Sequence, residues 1–208
     1  METFCLGNPK AQKVLIQPVD EHDLGALESE FGIIKSLTDT DFYLIAAKVG
    51  NWNKDLSPWK APAVFGSEDF GEGAGDFLKA LLPLCSDRQK TYYIGGYSLA
   101  GLFALWAAYQ TDTFKAVAAA SPSMWFPGFT EYMENSSIRV DAVYLSLGDK
   151  EAKARNPVMA TVAGKMADAT EIIKSQGVNV TFEWNPGNHF KESDLRTAKA
   201  FAWVLNNT

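Results

Sequence analysis

The sequence has few of the residues on which metal sites, disulfide frameworks and nucleic-acid surfaces depend. It contains only 2 cysteines and 2 histidines in 208 residues. Cys5 and Cys85 lie far apart and form no C-x-x-C pair, so they are interpreted as two buried free thiols rather than a disulfide or a metal site. The formal charge is −6 and Lys and Arg form no cluster, which argues against a nucleic-acid partner.

Long apolar runs are missing as well. No stretch reaches the roughly 18 apolar residues that a membrane-spanning helix needs. The segment Met1–Phe4 does not begin a basic region followed by an apolar stretch, which is the pattern of a signal peptide. We therefore expect a cytoplasmic protein without a membrane partner. The apolar fraction of 47% is ordinary for a folded protein. Because no repeat or linker interrupts the chain, residues 1–208 are predicted to form one domain.

Short apolar runs alternate with longer helical stretches along the whole chain. This alternation predicts an α/β fold, with a mostly parallel central sheet and helices on both faces. Strands are predicted over 13–17 (ended by Pro18), 42–47, 91–95, 116–120, 141–147 and 179–184, with an added edge strand at 3–6. Helices are predicted over 24–37, 99–109, 161–175 and 195–205, and at the end of the Trp-, Pro- and Gly-rich segment 50–75.

The segment Gly96–Gly101, GYSLAG, lies between a predicted strand and a predicted buried helix. A nucleophile elbow needs this context, because its serine sits on a sharp turn whose small neighbours let the following helix pack closely. Ala100 takes the place of the usual second glycine. The pattern predicts Ser98 as a nucleophile and the Leu99 N–H as an oxyanion donor. The alternative is an ordinary strand-to-helix turn with a capping serine.

A serine nucleophile needs a base, and histidine is the usual one at neutral pH. His189 follows the last predicted strand and precedes the closing helix, which fits the chain order serine, acid, histidine that accompanies an elbow. His22 lies just past the first long strand, where a surface or helix-start role fits it better than catalysis. The main chain of this loop, around Val19 or Asp20, is expected to supply the second oxyanion donor.

The acid is expected after the strand that precedes the last one. The loop there begins GDKE, so Asp149 and Glu151 compete for the role. Either carboxylate would orient His189 and stabilise its cationic form. Position favours Glu151, three residues past Gly148, but the sequence leaves both open.

Trp52, Met124 and Trp125 fall in loops predicted at the carboxyl ends of strands, where open α/β sheets bind ligands. They predict an apolar substrate pocket, or alternatively aromatic packing that closes the top of a small core. The glycine-rich segment 71–75 follows no strand and lacks dinucleotide spacing, so it is interpreted as the start of a helix. The sequence contains no P-loop and no metal-ligand pattern, and no cofactor or metal is expected.

Four segments taken together resemble the esterase D and enterochelin-esterase-like branch of the α/β-hydrolases. They are GYSLAG at 96–101, SPSMW at 121–125, GDKE at 148–151 and GNHF at 187–190. The resemblance covers most of the chain and implies an α/β-hydrolase fold close to its minimal core, without a large lid. It further implies a serine esterase for a small-molecule ester, with Ser98 as nucleophile, Glu151 or Asp149 as acid and His189 as base.

Several alternatives stay open. A thioesterase or peptidase of the same fold would use the same residues, a binding protein of this fold would not use Ser98 chemically, and a flavodoxin-like protein would hold a cofactor. The sequence does not specify the acyl and alcohol groups of the substrate. It also leaves the oligomeric state open, a homodimer included.

Overall fold

The computed structural model describes residues 1–208 and is organised around one sheet of seven strands. β1 is antiparallel to β3, and the other neighbouring strands are parallel. The spatial order is β1-β3-β2-β4-β5-β6-β7. The strands are β1 (Thr3–Gly7), β2 (Lys13–Val19), β3 (Phe42–Lys48), β4 (Thr91–Tyr97), β5 (Phe114–Ala120), β6 (Ala142–Gly148) and β7 (Asn179–Asn185).

Helices cover both faces of this sheet. They are α1 (Glu21–Leu37), α2 (Trp52–Asp55), α3 (Ala74–Leu81), α4 (Leu99–Gln110), α5 (Phe129–Glu134), α6 (Val162–Ser175) and α7 (Ser193–Asn207), with 3₁₀ turns at Leu82–Cys85, Glu151–Lys153 and Met159–Thr161. Successive strand side chains point to opposite faces, and they separate into two apolar cores. The larger core joins the sheet to α3, α4, α5 and α6, and the smaller joins it to α1 and α7.

Every strand and helix predicted from the sequence is present, with bounds shifted by a few residues. The edge strand is confirmed, but the prediction that Pro18 ends the first long strand is wrong. Pro18 lies inside β2 and pairs with Ala47 of β3. On its other side, β2 pairs with β4 only as far as Ile16. A proline, which lacks an N–H, is therefore tolerated in β2 beyond that residue.

Helix α5 was not predicted, because six residues are too few to show a helical period. Segment 49–73 does not form a large lid: Leu56, Ala61 and Phe70 are buried in the larger core. No helix is both long and apolar enough to cross a membrane.

The two cysteines are free, as predicted, but neither is buried. Cys5 is exposed, because it lies on β1, the edge strand of the sheet. Cys85 is partly buried, and this raises the pKa of its thiol to about 12.

Candidate active site

Ser98 occupies the turn between β4 and α4 in a strained backbone conformation. Its φ of 56° and ψ of −119° lie outside the regions that residues with a side chain normally adopt. The turn is held by the Ser98 N–H, which donates to the Ala120 carbonyl at 3.1 Å. A Cβ on Gly96 would lie 2.7 Å from the Ala100 Cβ, so the alanine in the elbow is accommodated because residue 96 is glycine.

His189 links Ser98 to Glu151 through its two ring nitrogens. Nε2 lies 2.9 Å from Ser98 Oγ, and Nδ1 lies 2.7 Å from Glu151 Oε2. A carboxylate only accepts hydrogen bonds, so Nδ1 carries the proton in the neutral ring and Nε2 is free to accept one from Ser98. These three residues, distant in sequence, come from loops at the carboxyl ends of β4, β6 and β7.

Glu151 is held as a buried carboxylate with only 5% of its side chain exposed. Burial acts to raise its pKa, but hydrogen bonds from His189, Gly148 and Ser121 outweigh burial and hold the pKa below its usual value. The Gly148 N–H donates to Oε1 at 2.7 Å and the Ser121 hydroxyl at 2.8 Å. Oε1 is thus occupied, which leaves Oε2 to His189.

Asp149, the other acid candidate, does not contact His189. It is exposed, and its Oδ1 accepts a hydrogen bond from the Gly187 N–H at 2.7 Å. Asp149 therefore supports the loop that carries His189, whereas Glu151 contacts the imidazole itself.

The oxyanion candidates differ in how free their N–H groups are. Leu99 is the first residue of α4, so its N–H has no acceptor within the helix. Val19 is fully buried at the end of β2. Asp20 caps α1, and its N–H donates to Asp23 Oδ2 at 3.3 Å within a capping box. Of the three, Leu99 adjoins Ser98, and its N–H is not used within the helix.

A cavity of about 360 Å³ opens beside Ser98 and His189. Trp52 and Phe190 contribute to its lining, and Phe190 is 88% exposed. Asp20, His22 and Asp23, from the start of α1, make part of the lining polar. Burial and the nearby Asp20 carboxylate raise the pKa of Asp23 to about 6. The cavity thus combines aromatic surface with carboxylates and has no Lys or Arg in its lining.

Met124 and Trp125 do not line this cavity, contrary to the sequence-based expectation. Both are buried in the larger core, and Trp125 packs against Phe70 with ring centroids 5.9 Å apart. The cause is the turn after β5, where Ser121 has a φ of 43° and the Ser123 N–H donates to the Ser98 carbonyl at 3.1 Å. This turn directs the following side chains inward.

Several residues at the site were not singled out from the sequence. The Ser123 hydroxyl lies 3.2 Å from Ser98 Oγ, and Ser121, Tyr97 and Arg196 surround Glu151 and the His189 loop. Arg196 had a detectable signal, because it interrupts the inward-facing apolar side of the closing helix. Tyr97, Ser121 and Ser123 lie within the GYSLAG and SPSMW segments, but neither segment indicates a role for them. No group of three or more His, Cys, Asp or Glu side chains is placed to hold a metal ion.

No protein-family model and no curated protein matches the sequence. Solved structures do match the fold. An IroE-like serine hydrolase from Shewanella oneidensis superposes with a TM-score of 0.77 at 13% identity, over 98% of this chain and 75% of that protein. The siderophore hydrolase EstA from Aspergillus nidulans superposes with a TM-score of 0.65 at 16% identity, over 96% of this chain and 85% of that protein.

An enterochelin esterase from Shigella flexneri is also similar, with a TM-score of 0.62 at 17% identity. The alignment covers 97% of this chain but 53% of that protein, so this chain spans about half of its length. The chain has the α/β-hydrolase fold. The predicted fold class is therefore confirmed, and the resemblance noted from the sequence extends to the three-dimensional structure.

Proposed function

We propose that the protein is a serine hydrolase that cleaves a small carboxylic ester through an acyl-enzyme on Ser98. The observation that carries the proposal is the continuous relay from Ser98 Oγ through His189 to Glu151 Oε2, with steps of 2.9 and 2.7 Å. A capping serine needs neither a strained φ nor a histidine hydrogen-bonded to a buried carboxylate. The fold shared with serine hydrolases and esterases supports the same conclusion.

In the acylation step, Ser98 Oγ attacks the ester carbonyl carbon while its proton passes to His189 Nε2. The carbonyl oxygen becomes an oxyanion, which the Leu99 N–H stabilises by hydrogen bonding. Glu151 stabilises the imidazolium that forms. The tetrahedral intermediate then collapses, and His189 returns the proton to the departing alcohol oxygen.

Deacylation repeats these steps with water. His189 removes a proton from a water molecule, whose oxygen attacks the acyl carbon bound to Ser98. The second tetrahedral intermediate collapses, the carboxylic acid leaves, and Ser98 Oγ regains its proton from His189. The open cavity, whose lining includes Ser98, Trp52 and the start of α1, gives both the alcohol and water access to Ser98.

Comparing p-nitrophenyl acetate with the matching thioester and anilide tests the proposal. We expect the ester to be hydrolysed by the wild type, with activity abolished in Ser98→Ala and His189→Ala. Preference for the thioester or the anilide would indicate a thioesterase or a peptidase instead. A folded wild type that hydrolyses none of the three would contradict the hydrolase proposal and favour a binding protein.

A further inference from the structure

Arg196 is a fully buried cation that lies on α7 beside the site. Only 1% of its side chain is exposed. A buried charge is costly unless it is paired and hydrogen-bonded, so its partners indicate why it is there. Arg196 is not part of the cavity lining, so a direct contact with substrate does not explain it.

One end of the guanidinium group contacts the acid side of the relay. Nη1 lies 3.1 Å from Glu151 Oε1, 3.2 Å from the Ser121 hydroxyl oxygen and 3.1 Å from the Tyr97 hydroxyl oxygen, and its two N–H groups are shared among these three acceptors. Oε1 is the Glu151 oxygen that does not contact His189. Arg196 therefore binds Glu151 through Oε1 and leaves Oε2 to His189.

The other end contacts the loop that carries the base. Nη2 donates to the carbonyl oxygens of Pro186 at 3.1 Å and Asn188 at 3.0 Å. The Tyr97 hydroxyl, which accepts from Nη1, itself donates to the His189 carbonyl at 2.7 Å. Tyr97 directly precedes Ser98 in the chain.

We propose that Arg196 is a positioning residue, which through these contacts holds Glu151, the His189 loop and Tyr97 in the arrangement that the relay needs. This inference rests on the proposed function of the same site. The planar fork of an arginine presents five N–H donors in fixed directions, whereas a lysine has one ammonium group. Arg196 thus joins carboxylate, hydroxyl and main-chain acceptors that a lysine cannot reach together.

The positive charge has a second consequence. Glu151 stabilises protonated His189, and the Arg196 cation on the far side of the same carboxylate partly offsets that effect. The Tyr97 ring lies beside the imidazole, tilted by 44° with the two ring centroids 5.1 Å apart. The other titratable groups around His189 are Asp20, His22 and Asp23 in the cavity lining, Asp149 against the His189 loop, and Lys191 and Glu192 on that loop. Removing the charge of Arg196 leaves the surroundings of His189 more negative.

Arg196→Met and Arg196→Lys separate these effects. We expect kcat/KM to fall by about 10²-fold in Arg196→Met, mostly through kcat, because displacements of about 1 Å have effects of that size. The acidic limb of its pH profile, which reports on His189, is expected to move to higher pH. In Arg196→Lys, kcat falls but the limb stays in place, because the charge is retained.

Lys199→Met is the matched control. Lys199 lies on the same helix, but it contacts Glu183 and Asn185 rather than the relay. We expect this variant to lose stability and keep the kcat and pH profile of the wild type. The proposal is overturned if Arg196→Met keeps wild-type kcat, or if both methionine variants lose activity only in proportion to their loss of stability.

Two further measurements keep the test decisive. If Arg196→Met does not fold, Tyr97→Phe provides the test, because it removes the hydroxyl between Arg196 and the His189 carbonyl. The loss of these hydrogen bonds is expected to lower kcat about tenfold. Wild-type kcat in both Tyr97→Phe and Arg196→Lys overturns the proposal. NMR titration of His189 measures the effect of the Arg196 charge on the imidazole directly, because it needs no turnover. If the wild type neither reacts nor turns over, the proposed function fails, whereas the titration still decides the role of Arg196.

Discussion

At the scale of single residues, the site depends on one buried carboxylate, Glu151, whose hydrogen-bonding capacity is almost fully used. Glu151 Oε1 accepts three hydrogen bonds, from Gly148, Ser121 and Arg196, and Oε2 accepts one from His189. Such a carboxylate stays ionised and fixed in place although it is buried. The orientation of the imidazole follows from this environment rather than from His189 alone.

Exchanging each acid for its amide distinguishes their roles. Glu151→Gln removes the charge that stabilises the imidazolium and the acceptor that fixes the Nδ1–H tautomer, so we expect kcat to fall by about 10⁴-fold. Asp149→Asn keeps an acceptor for the Gly187 N–H, so we expect kcat within about threefold of the wild type, in line with the small cost of most exposed substitutions. Steady-state kinetics on one ester measures the kcat of both variants. A larger loss of kcat in Asp149→Asn than in Glu151→Gln would assign the acid to Asp149.

At the scale of elements, the elbow depends on the close approach of β4 and α4. Gly96 and Ala100 meet across the turn, where an added Cβ would lie 2.7 Å from the existing one. We expect Gly96→Ala to lower the free energy of unfolding by about 1–3 kcal/mol through overpacking. Ala100→Gly alone costs about 1 kcal/mol of helix stability.

The double variant tests whether this contact is the cause. We expect the double variant Gly96→Ala/Ala100→Gly to lose less free energy of unfolding than the two single variants lose together, because the glycine at position 100 removes the clashing methyl group. Denaturant unfolding of all four proteins measures the coupling. Strict additivity would mean that Gly96 is needed for another reason.

The packing of α1 on β2 includes a buried acid, Glu30, which receives a hydrogen bond from Gln17 at 3.3 Å. Burial raises the pKa of Glu30 well above its usual 4.5. Below about pH 4.5 the Glu30 carboxyl is protonated in both the folded and the unfolded state, so its titration does not lower the free energy of unfolding. As the pH rises above this value the unfolded chain ionises first, so the folded state loses stability until the pH passes the folded pKa.

Glu30→Gln removes this cost. We expect a higher free energy of unfolding than the wild type at about pH 8, with the difference disappearing near pH 4. Glu28→Gln, an exposed change on the same helix, is the control and should have little effect at either pH. A destabilised Glu30→Gln at pH 8 would show that the ionised carboxylate is stabilising.

Long, periodic or strongly apolar elements could be predicted from the sequence, since burial and secondary-structure period dictate their pattern. The failures have local physical causes. Pro18 is tolerated because β2 lacks one neighbour there, and Met124 turns inward because Ser121 adopts a positive φ. The relay partners Ser98 and His189 follow from chain order, but the contacts of Arg196 arise only when α7 packs behind the β6 and β7 loops.

At the scale of the whole molecule, charge is expected to influence which esters the site accepts. The formal charge is −6, and Asp20 and Asp23 line the cavity without a Lys or Arg. A field of one sign in a cleft repels substrates of the same sign. We therefore expect kcat/KM to be higher for a neutral phenyl acetate than for the hemisuccinate of the same phenol.

This preference should shrink with added salt, which screens the repulsion, and below about pH 6, where Asp23 takes up a proton. The ratio of the kcat/KM values for the two substrates removes the dependence on His189 that both reactions share. Asp23→Asn should reduce the ratio, whereas Glu171→Gln, which removes an exposed carboxylate on α6, should not. An equal or greater rate with the hemisuccinate would contradict the electrostatic argument.

The most direct test of the central claim is to locate the residue that reacts. The purified protein is treated with a fluorophosphonate, digested, and analysed by peptide mass spectrometry. We predict a phosphonyl adduct on Ser98 in the wild type and in Ser123→Ala, a strongly reduced adduct in His189→Ala, and none in Ser98→Ala. A folded wild type without an adduct, or with the adduct on Ser123, would contradict the account of Ser98 as the activated nucleophile.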